Sequence, residues 1–176
     1  MHTDGKKAIV WFNGPSARQF WDIDPFAVEI GCNFIEQHRD VDHVCAYDRQ
    51  VIDILAKRPD PGVQYWTRRA MARGGFNFFD STHQCWDSGT LAVVLAHHMG
   101  MTGIHVVGCD WHHTNDSIFD QSYTWRRHKP KKASLAKYKL LERLHPHMRI
   151  TIVTDTPWRM AVDFMSSADF LDRVNC

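Results

Sequence analysis

Residues 88–110 read SGTLAVVLAHHMGMTGIHVVGCD, a helix followed by a strand, and this stretch decides the fold class. Ser88-Gly89 opens the helix, Leu91, Val94, Leu95 and His98 fall on one face of it, and Gly100 supplies the stop. Ile104 to Asp110 is an apolar, β-rich run that ends in an acid. Downstream, Leu135 to Leu144 repeats a helical pattern through Leu140, Leu141 and Leu144. Ile150-Thr151-Ile152-Val153 is a further strand, closed by Asp155-Thr156-Pro157. Helix, strand, helix, strand is the alternation of crossover units, which pair their strands in parallel.

The N-terminal half extends the pattern. Ala8-Ile9-Val10-Trp11-Phe12 is apolar without alternation, which fits a strand covered on both faces, and Asn13-Gly14-Pro15-Ser16 turns the chain directly after it. Val28 to Phe34 and Val41 to Tyr47 are the second and third strand candidates, Gln50 to Lys57 is a short helix, and Val63 to Thr67 is a fourth strand. Trp158 to Val174 is expected to hold a C-terminal helix. The expectation is an α/β fold: a single Rossmann-like domain over residues 1–176, with a mostly parallel sheet flanked by helices, a core at about 8–157 and a helical tail at 158–176.

Composition narrows the class. Hydrophobic residues make up 44% and charged residues 23% of the 176, values of an ordinary globular chain and not of a disordered or fibrous one. Lys and Arg number 21 against 20 acids, for a net charge of +1, which argues against a protein held on nucleic acid by global charge. That balance hides a local excess: between Asp120 and Glu142 there is no acid, and the stretch holds seven Lys and Arg. Five widely spaced cysteines with no CxxC pair argue for a reducing interior rather than a disulfide framework. No apolar stretch approaches the roughly 20 residues of a membrane span, and Met1 to Lys7 lacks an apolar signal core. The chain therefore reads as cytoplasmic, and its size suits a bacterial or phage gene product.

In open α/β sheets ligands bind beyond the carboxyl ends of the strands. The polar groups found there are Asn13, Gly14, Pro15 and Ser16 after the first strand, Asn33 after the second, Asp48 after the third, Asp87-Ser88-Gly89 at the helix start, and Asp110, Trp111 and His112 after the strand that ends the opening stretch. They are expected to converge on one crevice. The Asn13–Ser16 turn and the helix start at Ser88 both offer backbone N–H groups to a phosphate. The plainer readings, a tight turn and a helix N-cap, remain open beside them. Neither GxGxxG nor GxxxxGK[ST] occurs, which disfavours a dinucleotide enzyme or a P-loop NTPase. The pairs His97-His98, His112-His113 and His145/His147 lack the spacing of a zinc site, so no metal is expected. Asp80, His83 and Ser88 lack the GxSxG elbow of a hydrolase.

Three motifs in order, IVWFNGPS at 9–16, Gly31-Cys32-Asn33, and the opening stretch from Ser88-Gly89 to Gly108-Cys109-Asp110, resemble the bacterial sialyltransferases of glycosyltransferase family 42 and the related DUF115 proteins. The resemblance covers most of residues 8–157. It implies a Rossmann-like core that binds a CMP-sugar without a metal and transfers the sugar to an acceptor hydroxyl. On that resemblance Asn13, Asn33 and Ser88 contact the nucleotide, and His128 is the general base. His128 also fits the role on its own chemistry, because a neutral imidazole takes a hydroxyl proton at physiological pH. Arg126, Arg127, Lys129, Lys131 and Lys132 surround it in sequence and disfavour its charged form. Arg126 and Arg127, with Trp111 and His112, are candidate substrate contacts.

The chain departs from the family at several points. Asp48 stands where the family has Asn, Cys85 where it has Arg, and its two phosphate-supporting Tyr are not kept near His112 and near Ile118 or Phe119. These departures support an alternative, a non-catalytic protein that binds a nucleotide or nucleic acid in the same crevice. Arg68, Arg69 and Arg73 would then form one basic patch and residues 126–132 another.

Overall fold

The computed structural model describes residues 5–24, 28–110, 131–157 and 160–174. Eight strands form one sheet: β1 (Lys7–Trp11), β2 (Glu29–Cys32), β3 (His43–Cys45), β4 (Gln64–Thr67), β5 (Asn77–Phe78), β6 (Gly103–Val107), β7 (Arg149–Val153) and β8 (Asp163–Met165). Their spatial order is β5-β4-β3-β2-β1-β6-β7-β8, and every pairing is parallel. The expected α/β class holds, with a sheet parallel throughout.

Among the described residues four α-helices cover the faces: α1 (Arg49–Leu55), α2 (Ser88–His98), α3 (Lys131–Leu144) and α4 (Ser167–Val174). Alternation along β1 splits the core in two. Ala8, Val10 and Phe12 join Leu91 to Ala96 of α2 and Leu140, Leu141 and Leu144 of α3 on one face. Ile9 and Trp11 join Val51, Ile52 and Leu55 of α1, Phe170 of α4, and Ala17 and Phe20 of a 3₁₀ helix (Pro15–Phe20) on the other. Both faces of the central strands are thus buried, which is why their sequences run apolar instead of alternating.

Three expectations need correction. The helix of the opening stretch is not one-sided: residues 88–96 are buried all round, while His98 is exposed and stacks on Phe79 at 4.8 Å between ring centroids. A helix laid across the middle of a sheet and covered by a second helix has little solvent face, so it shows no polar stripe. The tail at 158–176 is not simply helical, because β8 joins β7 before α4 begins at Ser167. Val28 to Phe34 is strand only over Glu29–Cys32, since Asn33 turns the chain with φ 55°. The two-residue β5 at the sheet edge was not anticipated.

A buried ion pair joins β2 to the connection between β2 and β3, and its guanidinium also reaches the connection between β1 and β2. Arg39 donates from Nε and Nη2 to Glu29 at 2.6 Å each and from Nη1 to the carbonyls of Trp21 and Ile23 at 2.8 Å each. The Trp11 indole N–H donates to the same Glu29 carboxylate at 2.8 Å, and the guanidinium lies 4.8 Å from the Trp11 ring centroid. Among the described residues no helix is long and apolar enough to cross a membrane.

Candidate functional site

From β1 the chain proceeds outward through β2, β3, β4 and β5, then returns to place β6 on the other side of β1. Chain direction across the sheet therefore reverses between β1 and β6, and such a switch point opens a crevice beyond the carboxyl ends of the strands. Two clusters of the sequence-flagged residues sit there.

The first is at the switch point itself. Gly14 donates its N–H to the Gly108 carbonyl at 2.9 Å, and Ser16 donates its N–H and its hydroxyl to the Asp110 carboxylate at 2.8 and 2.6 Å. A Cβ on Gly14 would run into the Gly108 carbonyl and Asp110. Gly108 has φ +73°, and a Cβ there would meet the Phe12 carbonyl at 2.6 Å and Ala17 Cβ at 2.8 Å. Only glycines let these two loops close on each other. Pro15 begins the 3₁₀ helix and is exposed. The Asn13 side-chain oxygen is buried with no hydrogen-bond partner, an acceptor that a ligand donor would satisfy.

The second cluster lies at the ends of β2 and β3. The Ser88 hydroxyl donates to Asn33 Oδ1 at 2.6 Å and accepts the Tyr47 N–H at 3.0 Å. With Oδ1 so engaged, the Asn33 amide presents Nδ2 as its donating edge. Asp48 is exposed and sits at the α1 N-cap without a side-chain cap. Gly89 serves packing, since a Cβ there would meet the Phe12 ring at 2.8 Å.

Both backbone anion cradles are internally occupied. Asp110 takes the turn's Ser16 N–H. At α2 the N-cap is Asp87 and not Ser88: Asp87 accepts the Thr90 N–H at 2.8 Å in a capping box, and Lys137 pairs with the same carboxylate. Sequence reasoning placed Asp87 among the crevice groups without its capping role and missed Lys137, although both roles left signals. Asp87-x-x-Thr90 has the spacing of a capping box. Lys137 precedes Leu140, Leu141 and Leu144 by three, four and seven residues, which places it on the buried face of α3.

Other candidates resolve plainly. Ser88 is bonded to Asn33 and Asp80 to Arg69, so the imagined Asp80, His83, Ser88 triad is not assembled. Burial pushes the Cys85 thiol up to about 12, so it carries no charge where the family has Arg. The rings of His83, His97 and His147 neighbour one another at 5.7 and 6.2 Å, yet among the described residues no group of three or more His, Cys, Asp or Glu is placed to hold a metal. Arg69 is paired bidentately with Asp80 and Arg73 with Asp53, so two cations of the first basic patch are already neutralised. His128, Trp111, His112, Arg126 and Arg127 lie outside the described residues.

Fold and crevice together define a doubly wound, Rossmann-like α/β protein whose polar residues gather at the carboxyl ends of its strands. Its fold is similar to that of the sialyltransferase CST-II, solved in complex with a trisaccharide acceptor and CMP, with a TM-score of 0.50 and 14% identity over 84% of this chain and 80% of that one. At this identity the likeness is one of fold. No protein-family model and no curated protein sequence matches the chain.

Proposed function

We propose that the protein is a glycosyltransferase that binds a CMP-type nucleotide sugar in the crevice and transfers the sugar to an acceptor hydroxyl. The observation that carries this reading is the meeting of Asn33, Ser88 and Tyr47 at the ends of β2 and β3. Two distant motifs, 55 residues apart, converge there on a shared hydrogen bond that leaves an amide edge for a ligand. The unpartnered Asn13 oxygen supports it from the neighbouring strand. The fold shared with CST-II, a sialyltransferase solved with CMP, supports the choice of nucleotide.

In the proposed reaction the acceptor oxygen bonds to the anomeric carbon while the bond from that carbon to the phosphate oxygen breaks. His128 takes the acceptor proton, and CMP leaves with the bonding electron pair. No resident metal or cofactor is part of the proposal. The test is incubation with CMP-sugars and an acceptor, with release of CMP followed for the wild type and for His128→Ala. The reading expects CMP release from the wild type, falling at least about a hundredfold in the variant, the lower range of general-base contributions. An unchanged rate in His128→Ala removes the residue from its role, and no release from any CMP-sugar removes the transferase reading.

A further inference from the structure

The crevice has a charge problem. A nucleoside monophosphate brings an anion, but Asp110 already fills the turn at Ser16 and Asp87 already fills the first turn of α2. Lys137 is held by Asp87, so its charge at that helix start is already neutralised. A phosphate entering here needs a cation that no carboxylate has claimed.

Arg68 is such a cation. It directly follows β4 at the carboxyl end of the sheet, and its guanidinium lies over the Tyr47 ring at 4.5 Å from the centroid. Its Nη1 also reaches the Tyr47 hydroxyl at 3.4 Å. Tyr47 is the residue whose N–H is bonded to Ser88. One residue therefore couples the guanidinium to the Asn33 and Ser88 pair. Its neighbours Arg69 and Arg73 are ion-paired, whereas among the described residues no carboxylate pairs with Arg68. Stacking on a ring fixes the plane of a guanidinium while leaving its outer N–H donors free, an arrangement suited to a two-pronged contact with an oxyanion.

We propose that Arg68, mounted on Tyr47, is the anion-binding residue of the crevice and contacts the phosphate of the bound nucleotide. The inference rests on the nucleotide reading above and adds a residue to it.

Calorimetric titration of the full chain with CMP and with cytidine, at low and at moderate salt, tests it. CMP is expected to bind more tightly than cytidine, with the gap narrowing as salt rises. Arg68→Gln is expected to weaken CMP binding by about tenfold to a hundredfold, the worth of a hydrogen bond to a charged group, and to leave cytidine binding unchanged. Arg68→Lys keeps the charge and is expected to recover part of the loss. Wild-type CMP affinity in Arg68→Gln overturns the inference, as does an equal loss for CMP and cytidine, which marks a role in shape. If the wild type binds neither compound, the nucleotide reading fails and the assignment of Arg68 falls with it.

Discussion

Replacing Arg39 by Leu is expected to cost about 3–5 kcal/mol, because it strands a buried carboxylate. The side chains of Arg39 and Glu29 are only 7% and 3% exposed, so water cannot take over the lost partner. Four of the five donor contacts of the guanidinium are short, at 2.6 and 2.8 Å, and two of those serve the carbonyls of Trp21 and Ile23. Losing Arg39 leaves Glu29 with the Trp11 indole as its remaining side-chain donor among the contacts described above, and it leaves two carbonyls short of a partner. Both effects push the loss toward the upper part of that range. For a chain of this length each kcal/mol shifts Tm by about 2–4 °C, so a drop of about 6–20 °C is expected. Urea unfolding followed by circular dichroism and by tryptophan emission gives the same quantity through the midpoint at constant slope. The double variant Glu29→Leu, Arg39→Leu should recover part of the loss, because no isolated charge remains. A single Arg39→Leu variant within about 1 kcal/mol of wild type, the range of an exposed pair, would refute the reasoning.

Other outcomes follow from single contacts. Burial, with Arg173, Lys7 and Arg149 adding to it, lowers the pKa of His105 to about 4. The unfolded chain then binds more protons between pH 6.5 and 4, so stability falls as pH drops through that window, by up to about 3 kcal/mol; His105→Leu should remove this part of the slope of Tm against pH. Gly108→Ala should cost at least about 1–3 kcal/mol by urea titration, since φ is +73° and the added Cβ would press on Phe12 and Ala17. Lys137→Met removes the cation paired with the half-buried Asp87 carboxylate, and should lower the urea midpoint more than Lys137→Met combined with Asp87→Asn does.

How legible this was in the sequence depended on the range of the interactions involved. The central strands were readable because burial on both faces leaves a local mark, an apolar run such as Ile9 to Phe12 followed at once by a turn. The placement of Asn13, and of the Asn33 and Ser88 pair, on the carboxyl side followed from one general rule about parallel sheets. What the sequence could not say is which groups would already be satisfied. Ser16 and Asp110 lie 94 residues apart, and no local pattern announces that one will close the turn of the other. The same holds for Arg69 with Asp80 and Arg73 with Asp53, which turned two members of an apparent basic patch into ion pairs and left Arg68 without a carboxylate partner among the described residues. Strand β8 was hidden because three half-buried residues carry too little periodicity to compete with a helical reading.

The central claim is that the carboxyl ends of β1, β2 and β3 hold a nucleotide. A crystal structure of the chain with CMP tests it most directly. The account predicts CMP across those strand ends, with a donor of the ligand within hydrogen-bond distance of Asn13 Oδ1 and an acceptor of it at Asn33 Nδ2. CMP bound elsewhere on the molecule, with the Asn13 and Asn33 side chains untouched, would contradict it.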